Sequence, residues 1–317
     1  NMSSQPTKLD DTGDVNKVGN TAFLVNSMRA EEKNSPKPLY YDNFSQLFVE
    51  NQLQTGIDTV TDRTWFADET WHKAMLMGAR TFFIDECLRK AFMEGTRQVV
   101  ILGSGLDCRP LRLYHPDIHF IEVDETPVLD YKVKKLQQAG YPTHPSVLIR
   151  GNYLEIDLFG ELAKAGLDAS KQVLFVWEGN TMYLPPSRCK SLLKELLTRF
   201  PQSTLVFDYN LAPMADASGP HFGDPEEEKK YQTMMDAVTD GQWVWIGRFD
   251  PEEYQRDLQY EVLESHSMWG IMRKYRGALL DEIISKSPGA MGGPFIRNMF
   301  DTSWFIDVVR PGGRSKL

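Results

Sequence analysis

A short turn, Gly103-Ser-Gly105-Leu-Asp-Cys108-Arg-Pro, follows the apolar, β-branched run QVVIL at Gln98–Leu102. Glycines at the end of a buried parallel strand let backbone N–H groups approach a ligand with no Cβ in the way. The next strand-like run ends in Glu122-Val-Asp124-Glu125, which places Asp124 21 residues after Gly103. That spacing is close to the roughly 20 expected of a carboxylate that accepts hydrogen bonds from ribose hydroxyls. A dinucleotide fingerprint would need a third glycine, so that the following helix could offer its N-terminus to a pyrophosphate, and Cys108 stands there instead. A nucleoside ligand without phosphate suits the turn better. S-adenosylmethionine is such a ligand: it needs an open turn, a carboxylate for its ribose, a slot for adenine and a partner for its own carboxylate. Two further groups with chemical capacity, Asp208 and Tyr209, close a later strand-like run, and Tyr183 lies just beyond the one before it. Asp208 could act as a general base toward a hydroxyl acceptor, with Tyr183 and Tyr209 lining its pocket.

Positioning these groups takes a sheet. Runs like QVVIL recur at 118–123 (IHFIEV), 146–150 (SVLIR), 172–177 (QVLFVW) and 203–209 (STLVFDY). They read as strands buried on both faces. Helix-compatible stretches at 128–139 and 187–200 alternate with them, as in a doubly wound α/β sheet. Two more candidates, 259–265 (QYEVLES) and 303–309 (SWFIDVV), with a helical stretch between them, bring the expected strands to seven. Ahead of the sheet, helical spacing of Ala22, Val25, Met28 and Ala30, a second apolar piece with Phe44, Leu47, Phe48 and Leu53, and a long helix over 69–93 bearing Trp71 on its apolar face predict a helical cap. Residues 210–254, which contain DPEEEKK, read as a lid inserted late in the fold. The expected layout is a mobile arm over 1–20 and a single domain over 21–317: cap 21–95, cofactor-binding core 98–209, lid 210–254 and last strands 255–317.

Composition narrows the function classes. Thirty-five basic against 44 acidic residues give a formal charge of −9, which disfavours a nucleic-acid partner. Cys87, Cys108 and Cys189 form no C-x-x-C pair, so a zinc site is not expected and the thiols read as reduced. No histidine pair suggests a metal: His115 and His119 flank Pro116. The polar N-terminus and the lack of a long apolar run point away from secretion or a membrane and toward the cytoplasm.

Three motifs in order carry a resemblance. Residues 78–113 (GARTFFIDECLRKAFMEGTRQVVILGSGLDCRPLRL), FIEVDETPVLDYK after them and WEGNTMYL at 177–184 resemble the leucine carboxyl methyltransferase family, including its bacterial small-molecule O-methyltransferase relatives. The likeness covers residues 21–209. It implies a Rossmann-like class I methyltransferase fold, S-adenosyl-L-methionine as cofactor, and as acceptor a carboxylate or hydroxyl of a small molecule or a protein's C-terminal carboxylate. It also implies that Arg80 pairs with the cofactor's carboxylate, a task suited to a bidentate, permanently charged guanidinium. By the same likeness Gly103 and Gly105 line the cofactor, Asp124 takes the ribose, Asp157 and the backbone of Leu158 hold adenine, Glu178 faces the cofactor, and Lys37 lies near its carboxylate. Plainer readings stand beside these: Arg80 paired with Asp85 on its own helix, Glu178 capping the next helix, Asp208 purely structural. The rival functions are a nucleotide-dependent oxidoreductase and a catalytically silent cofactor-binding scaffold.

Overall fold

The computed structural model describes residues 20–49, 74–141, 143–211, 229, 233, 249–286, 297 and 299–312. Residues 1–19 of the expected arm over 1–20, the first part of the expected long helix with Trp71, Leu53, and most of the expected lid lie outside the described residues, and Asn20 belongs to the first helix.

Seven strands form one sheet among these residues: β1 Gln98–Leu102, β2 His119–Asp124, β3 Val147–Arg150, β4 Val173–Trp177, β5 Ser203–Asn210, β6 Tyr260–Ser267 and β7 Trp304–Pro311. The order is β3-β2-β1-β4-β5-β7-β6, parallel from β3 to β5, with β7 antiparallel to both β5 and β6. This is the doubly wound, mostly parallel α/β architecture the sequence predicts. The helices are α1 Asn20–Glu31, α2 Ala74–Met93, α3 Arg109–Arg112, α4 Thr126–Gln138, α5 Leu158–Lys164, α6 Pro186–Arg199, α7 Pro251–Leu258 and α8 Met268–Lys286.

Alternation along each buried strand divides the core. In β1, Val99 and Ile101 join one apolar cluster, with α2 and α8, while Val100 and Leu102 join another, with α5, α6 and Tyr254 of α7. Side chains i and i+2 share a face, so a strand apolar at every position must be covered on both. A third, smaller cluster, with Phe23, Phe48, Leu106, Cys108 and Tyr131, seats α1 and the 45–48 turn against α4 beside the glycine turn. Cys108 is thus an apolar packing residue, and all three cysteines are unpaired.

The structure departs from the sequence reading at the end of the expected lid. Leu211 bridges to Phe249, and α7 buries Tyr254 in the second cluster, its hydroxyl donating to the carbonyl of Pro186 at 2.6 Å. Residues 249–254 therefore belong to the layer that flanks the sheet. Strands β5 and β7 also run past their apolar stretches: β5 reaches Asn210, paired with Trp304 of β7, and β7 reaches Pro311, paired with Tyr260 of β6.

Candidate active site

Strand alternation sets the site. On β4, Leu174 and Val176 face the α2 cluster, and one residue beyond Trp177 the next acidic side chain, Glu178, turns to that same side. On β5 Val206 does the same, and two residues later so does Asp208. Because Trp177 and Phe207 are in register, two carboxylates arrive at the same level on adjacent strands. Uncompensated, such a pair could not both stay ionised in a buried site. Arg80, on the facing side of α2, stands between them: Nη1 donates to Asp208 Oδ2 at 2.9 Å and Nε lies 2.9 Å from Glu178 Oε1. The indole of Trp304 packs 5.4 Å from the Arg80 guanidinium and donates to Asp208 Oδ2 at 3.1 Å. The backbone N–H of Gly179, at φ +69°, donates to Asp208 Oδ1 at 2.6 Å.

Glu178 anchors a wider network. Its Oε1 also accepts from Arg29 of α1 at 2.8 Å, and its Oε2 from Arg109 Nη1 at 2.5 Å. Arg109 reaches Asp107 at 2.6 Å and, through Nε, Asp85 at 2.9 Å. Arg112 takes the other oxygen of Asp85 at 2.6 Å and lies 3.3 Å from Asp42. Burial pushes the Glu178 carboxyl upward, but Arg109, Arg29 and Arg80 outweigh it and hold the group well below the usual carboxylate range. Asp208 has fewer cations near it, and burial prevails over Arg80 to raise its pKa. The network excludes two of the plainer readings. Asp85 is committed to Arg109 and Arg112 rather than to Arg80, and Glu178 caps no helix, the 181–183 turn having no side-chain cap.

The glycine turn lies beside this network. Gly103 and Gly105 adopt φ of +63° and +50°, the left-handed region that favours glycine. Asp124, at the carboxyl end of β2, accepts from the Gly105 N–H at 2.6 Å with Oδ2 and from the Glu125 N–H at 2.7 Å with Oδ1. Burial raises its pKa against those two donors. A Cβ on Gly105 would find nothing nearer than the Ala22 methyl at 3.8 Å, an ordinary contact, whereas the space over Gly103 is filled by Asn180. A left-handed turn with room at Gly105, next to a fixed carboxylate, fits a nucleoside ribose.

The other expected residues separate. Asp157 is exposed and N-caps α5, accepting from the Gly160 N–H at 3.1 Å, while Leu158 is buried and its N–H is spent on the Ile156 carbonyl at 2.8 Å. Capping is thus the role seen for Asp157, and it leaves Oδ2 for a ligand. Tyr183 is half-buried beside the Arg80 side of the sheet, its phenol pushed up to about 12 by burial. Tyr209 is neighbour to Asp208 in sequence but points to the opposite face. Its ring stacks on Phe249 at 4.4 Å, and its hydroxyl donates to Asp307 at 3.1 Å. It cannot share a pocket with Asp208, because consecutive strand residues face opposite ways. The expectation that Asp208 serves as a base meets a similar obstacle: the residue is fully buried, and Arg80, Gly179 and Trp304 occupy its oxygens. Lys37 is exposed.

Sequence reasoning missed Arg29, Asp107, Arg109, Arg112 and Asn180. A signal existed for two of them. Arg109 and Arg112 sit in and after a glycine turn among apolar Leu106, Cys108, Leu111 and Leu113, and cations drawn inside by such neighbours need carboxylates.

Comparisons with known proteins give the family and the fold. The family model described as leucine carboxyl methyltransferase matches residues 22–197. A Mycobacterium tuberculosis protein assigned to the S-adenosyl-L-methionine-dependent methyltransferases is 33% identical over 231 residues, 69% of this chain and 71% of its own. A Mycobacterium avium protein with the same assignment is 30% identical over 275 residues, 79% of this chain and 80% of its own. Among solved structures, one from Thermobifida fusca titled as a methyltransferase superposes with a TM-score of 0.56 at 16% identity, over 97% of this chain and 100% of that one. A duf574 family protein from Streptomyces avermitilis follows at 0.54 and 14%, over 94% of this chain and 99% of that one, and both likenesses concern the fold. With its motifs matched across more than half its length, the chain belongs to the leucine carboxyl methyltransferase family and is an S-adenosyl-L-methionine-dependent methyltransferase.

Proposed function

We propose that the enzyme transfers a methyl group to an oxygen of a small molecule, and that this oxygen belongs to a carboxylate rather than a hydroxyl. The observation that carries the choice is the absence, among the described residues, of a free general base at the carboxyl ends of β4 and β5. Glu178 is held by three arginines and Asp208 by Arg80, an N–H and an indole. His119 sits at the far end of β2 on the Ala165 carbonyl, His144 lies against Glu122, His115 beside Asp117, and His266 packs on Phe83. A phenol or alcohol would benefit from a base, whereas a carboxylate is already ionised at neutral pH.

Bound S-adenosylmethionine supplies an electrophilic methyl group on a sulfonium. The chain's own part is to bind, align and keep water out. The N–H groups of Gly103, Ser104 and Gly105 hold the turn against Val123 and Asp124, so the turn's own contribution is a backbone without Cβ at Gly105 that a ligand can approach, and Asp124 has lone pairs left for the ribose. Asp157 and the Leu158 segment border the adenine side. Arg80 is fixed by Glu178 and Asp208 through Nε and Nη1, which leaves Nη2 to meet the cofactor's carboxylate; Asp208 and Glu178 thus act as positioning residues. Tyr183 stays protonated and can donate a hydrogen bond to the acceptor.

The test is a screen with methyl-labelled S-adenosylmethionine against small carboxylic acids, phenols and peptides ending in a free carboxylate. Label released as methanol by mild alkali identifies an ester, as proposed. Alkali-stable ether products would put the acceptor among hydroxyls, and labelling confined to peptides would move it to a protein terminus.

A further inference from the structure

Beyond the charged network, a chain of neutral hydrogen bonds runs across the turns that follow β1, β3 and β4. Trp177 is fully buried, and its indole Nε1 donates to the Tyr153 hydroxyl at 3.1 Å. An indole nitrogen can only donate, so the phenol oxygen accepts there and turns its own hydrogen to Asn180 Oδ1, 3.0 Å away. That fixes the amide of Asn180. Its Nδ2 donates to the carbonyl of Glu178 at 2.7 Å and sits 3.4 Å from those of Leu102 and Gly103. The amide occupies the space above Gly103 so closely that a Cβ there would lie 2.6 Å from Nδ2 and 2.7 Å from Cγ. Gly103 is therefore glycine for two reasons, its φ of +63° and the side chain pressed against it.

We infer that Asn180 is a positioning residue for the cofactor turn, held in place by Tyr153 and Trp177. It holds the carbonyls of Leu102 and Gly103, and with them the left-handed shape at Gly103 that a ligand meets, and through Tyr153 it ties that turn to the loop between β3 and α5, which leads into Asp157 and Leu158. Three segments that contribute separately to the cofactor pocket are thereby set relative to one another before any ligand arrives. Preorganisation of this kind shows as affinity, because the bound shape no longer has to be assembled. The inference rests on the placement of the cofactor at the Gly103 turn.

The probe is S-adenosylhomocysteine, titrated calorimetrically into the full chain, so that no acceptor is needed. Asn180→Ala is expected to weaken binding about 10-fold, or about 1.4 kcal/mol. Tyr153→Phe, which keeps the ring and removes the hydroxyl, should weaken it about 3-fold, and the double variant should bind no more weakly than Asn180→Ala alone, since both act along one path. A second readout separates this from general loosening. The indole N–H resonance of Trp177, identified by its loss in Trp177→Phe, should move when S-adenosylhomocysteine binds the wild type and stay still when it binds Asn180→Ala. Equal affinity in wild type and both single variants, or fully additive losses, overturns the inference while leaving the cofactor placement intact. Failure of the wild type itself to bind takes down both.

Discussion

Asp208 and Asp307 lie on adjacent antiparallel strands, one register step apart, and both are almost wholly buried, yet they meet opposite environments. Asp208, on the α2 face, has a guanidinium, an indole N–H and a backbone N–H. Asp307, on the other face, has the hydroxyl of Tyr209 and aromatic neighbours, and among the described residues its Oδ1 has no hydrogen-bond partner. Burial raises the pKa of both, but around Asp208 the cation Arg80 opposes the rise, and around Asp307 the opposing groups are the hydroxyls of Ser265 and Tyr209 and, at longer range, His266. Two buried carboxylates of one type thus do different work. One belongs to an ion network at the carboxyl ends of β4 and β5, and the other is a polar group tolerated inside an aromatic cluster.

Removing Arg80 should produce the largest effect. Arg80→Ala leaves Glu178 and Asp208 facing each other, and losing one partner of a buried ion pair costs about 3–5 kcal/mol. Urea denaturation should show that loss, and calorimetry should show no binding of S-adenosylhomocysteine. A stable variant that binds normally would dissolve the contrast between the two faces. Glu178→Gln should cost somewhat less, about 3 kcal/mol, because one oxygen still accepts while the amide NH2 faces a guanidinium and the three arginines lose their counter-charge. The pH dependence has a definite sign. Since the Glu178 pKa is depressed in the folded state, its contribution is fully present above the unfolded pKa near 4.5 and is lost as pH falls through the folded value. The wild type should therefore lose more stability than Glu178→Gln on acidification below about 4.5.

The opposite sign is expected on the other face. The raised pKa of Asp307 favours folding at low pH, and that advantage disappears as pH rises from the unfolded value near 3.8 through the folded one. Asp307→Asn should consequently stabilise the protein at pH 8, by about 1 kcal/mol, and make little difference near pH 4. Equal effects at both pH values would mean that Asp307 stays in one protonation state throughout. The smallest effect belongs to Tyr209→Phe, with about 1 kcal/mol of stability lost with the hydrogen bond to Asp307 and S-adenosylhomocysteine affinity unchanged. A drop in that affinity would return Tyr209 to the ligand pocket.

What could be read from the sequence follows from the same physics. The central strands were legible because a strand covered on both faces is apolar at successive positions, as in QVVIL and VLFVW, whereas β6 at the sheet edge, YEVLESHS, showed itself by apolar–polar alternation instead. The glycine turn and Asp124 were legible because their spacing is local to one βαβ unit. The ion network was not, since Arg29 meets Glu178 across 149 residues and Arg80 meets Asp208 across 128, and no local pattern records a partner so distant. Tyr209 was misplaced for a simpler reason: it was grouped with Asp208 by adjacency, whereas a strand separates neighbours onto opposite faces. The short α3 and α5 escaped notice because four and seven residues cannot display a helical period.

The most direct measurement is calorimetric titration of S-adenosylhomocysteine into the wild type, Asp124→Ala and Arg80→Lys. Asp124→Ala removes the carboxylate proposed to hold the ribose, and Arg80→Lys keeps the charge but not the fork that reaches Glu178 and Asp208 and is proposed to reach the ligand. Micromolar binding by the folded wild type and a loss of at least about 10-fold in each variant is the result that places the cofactor between Gly103, Asp124 and Arg80. Wild-type affinity retained in both variants would contradict that placement.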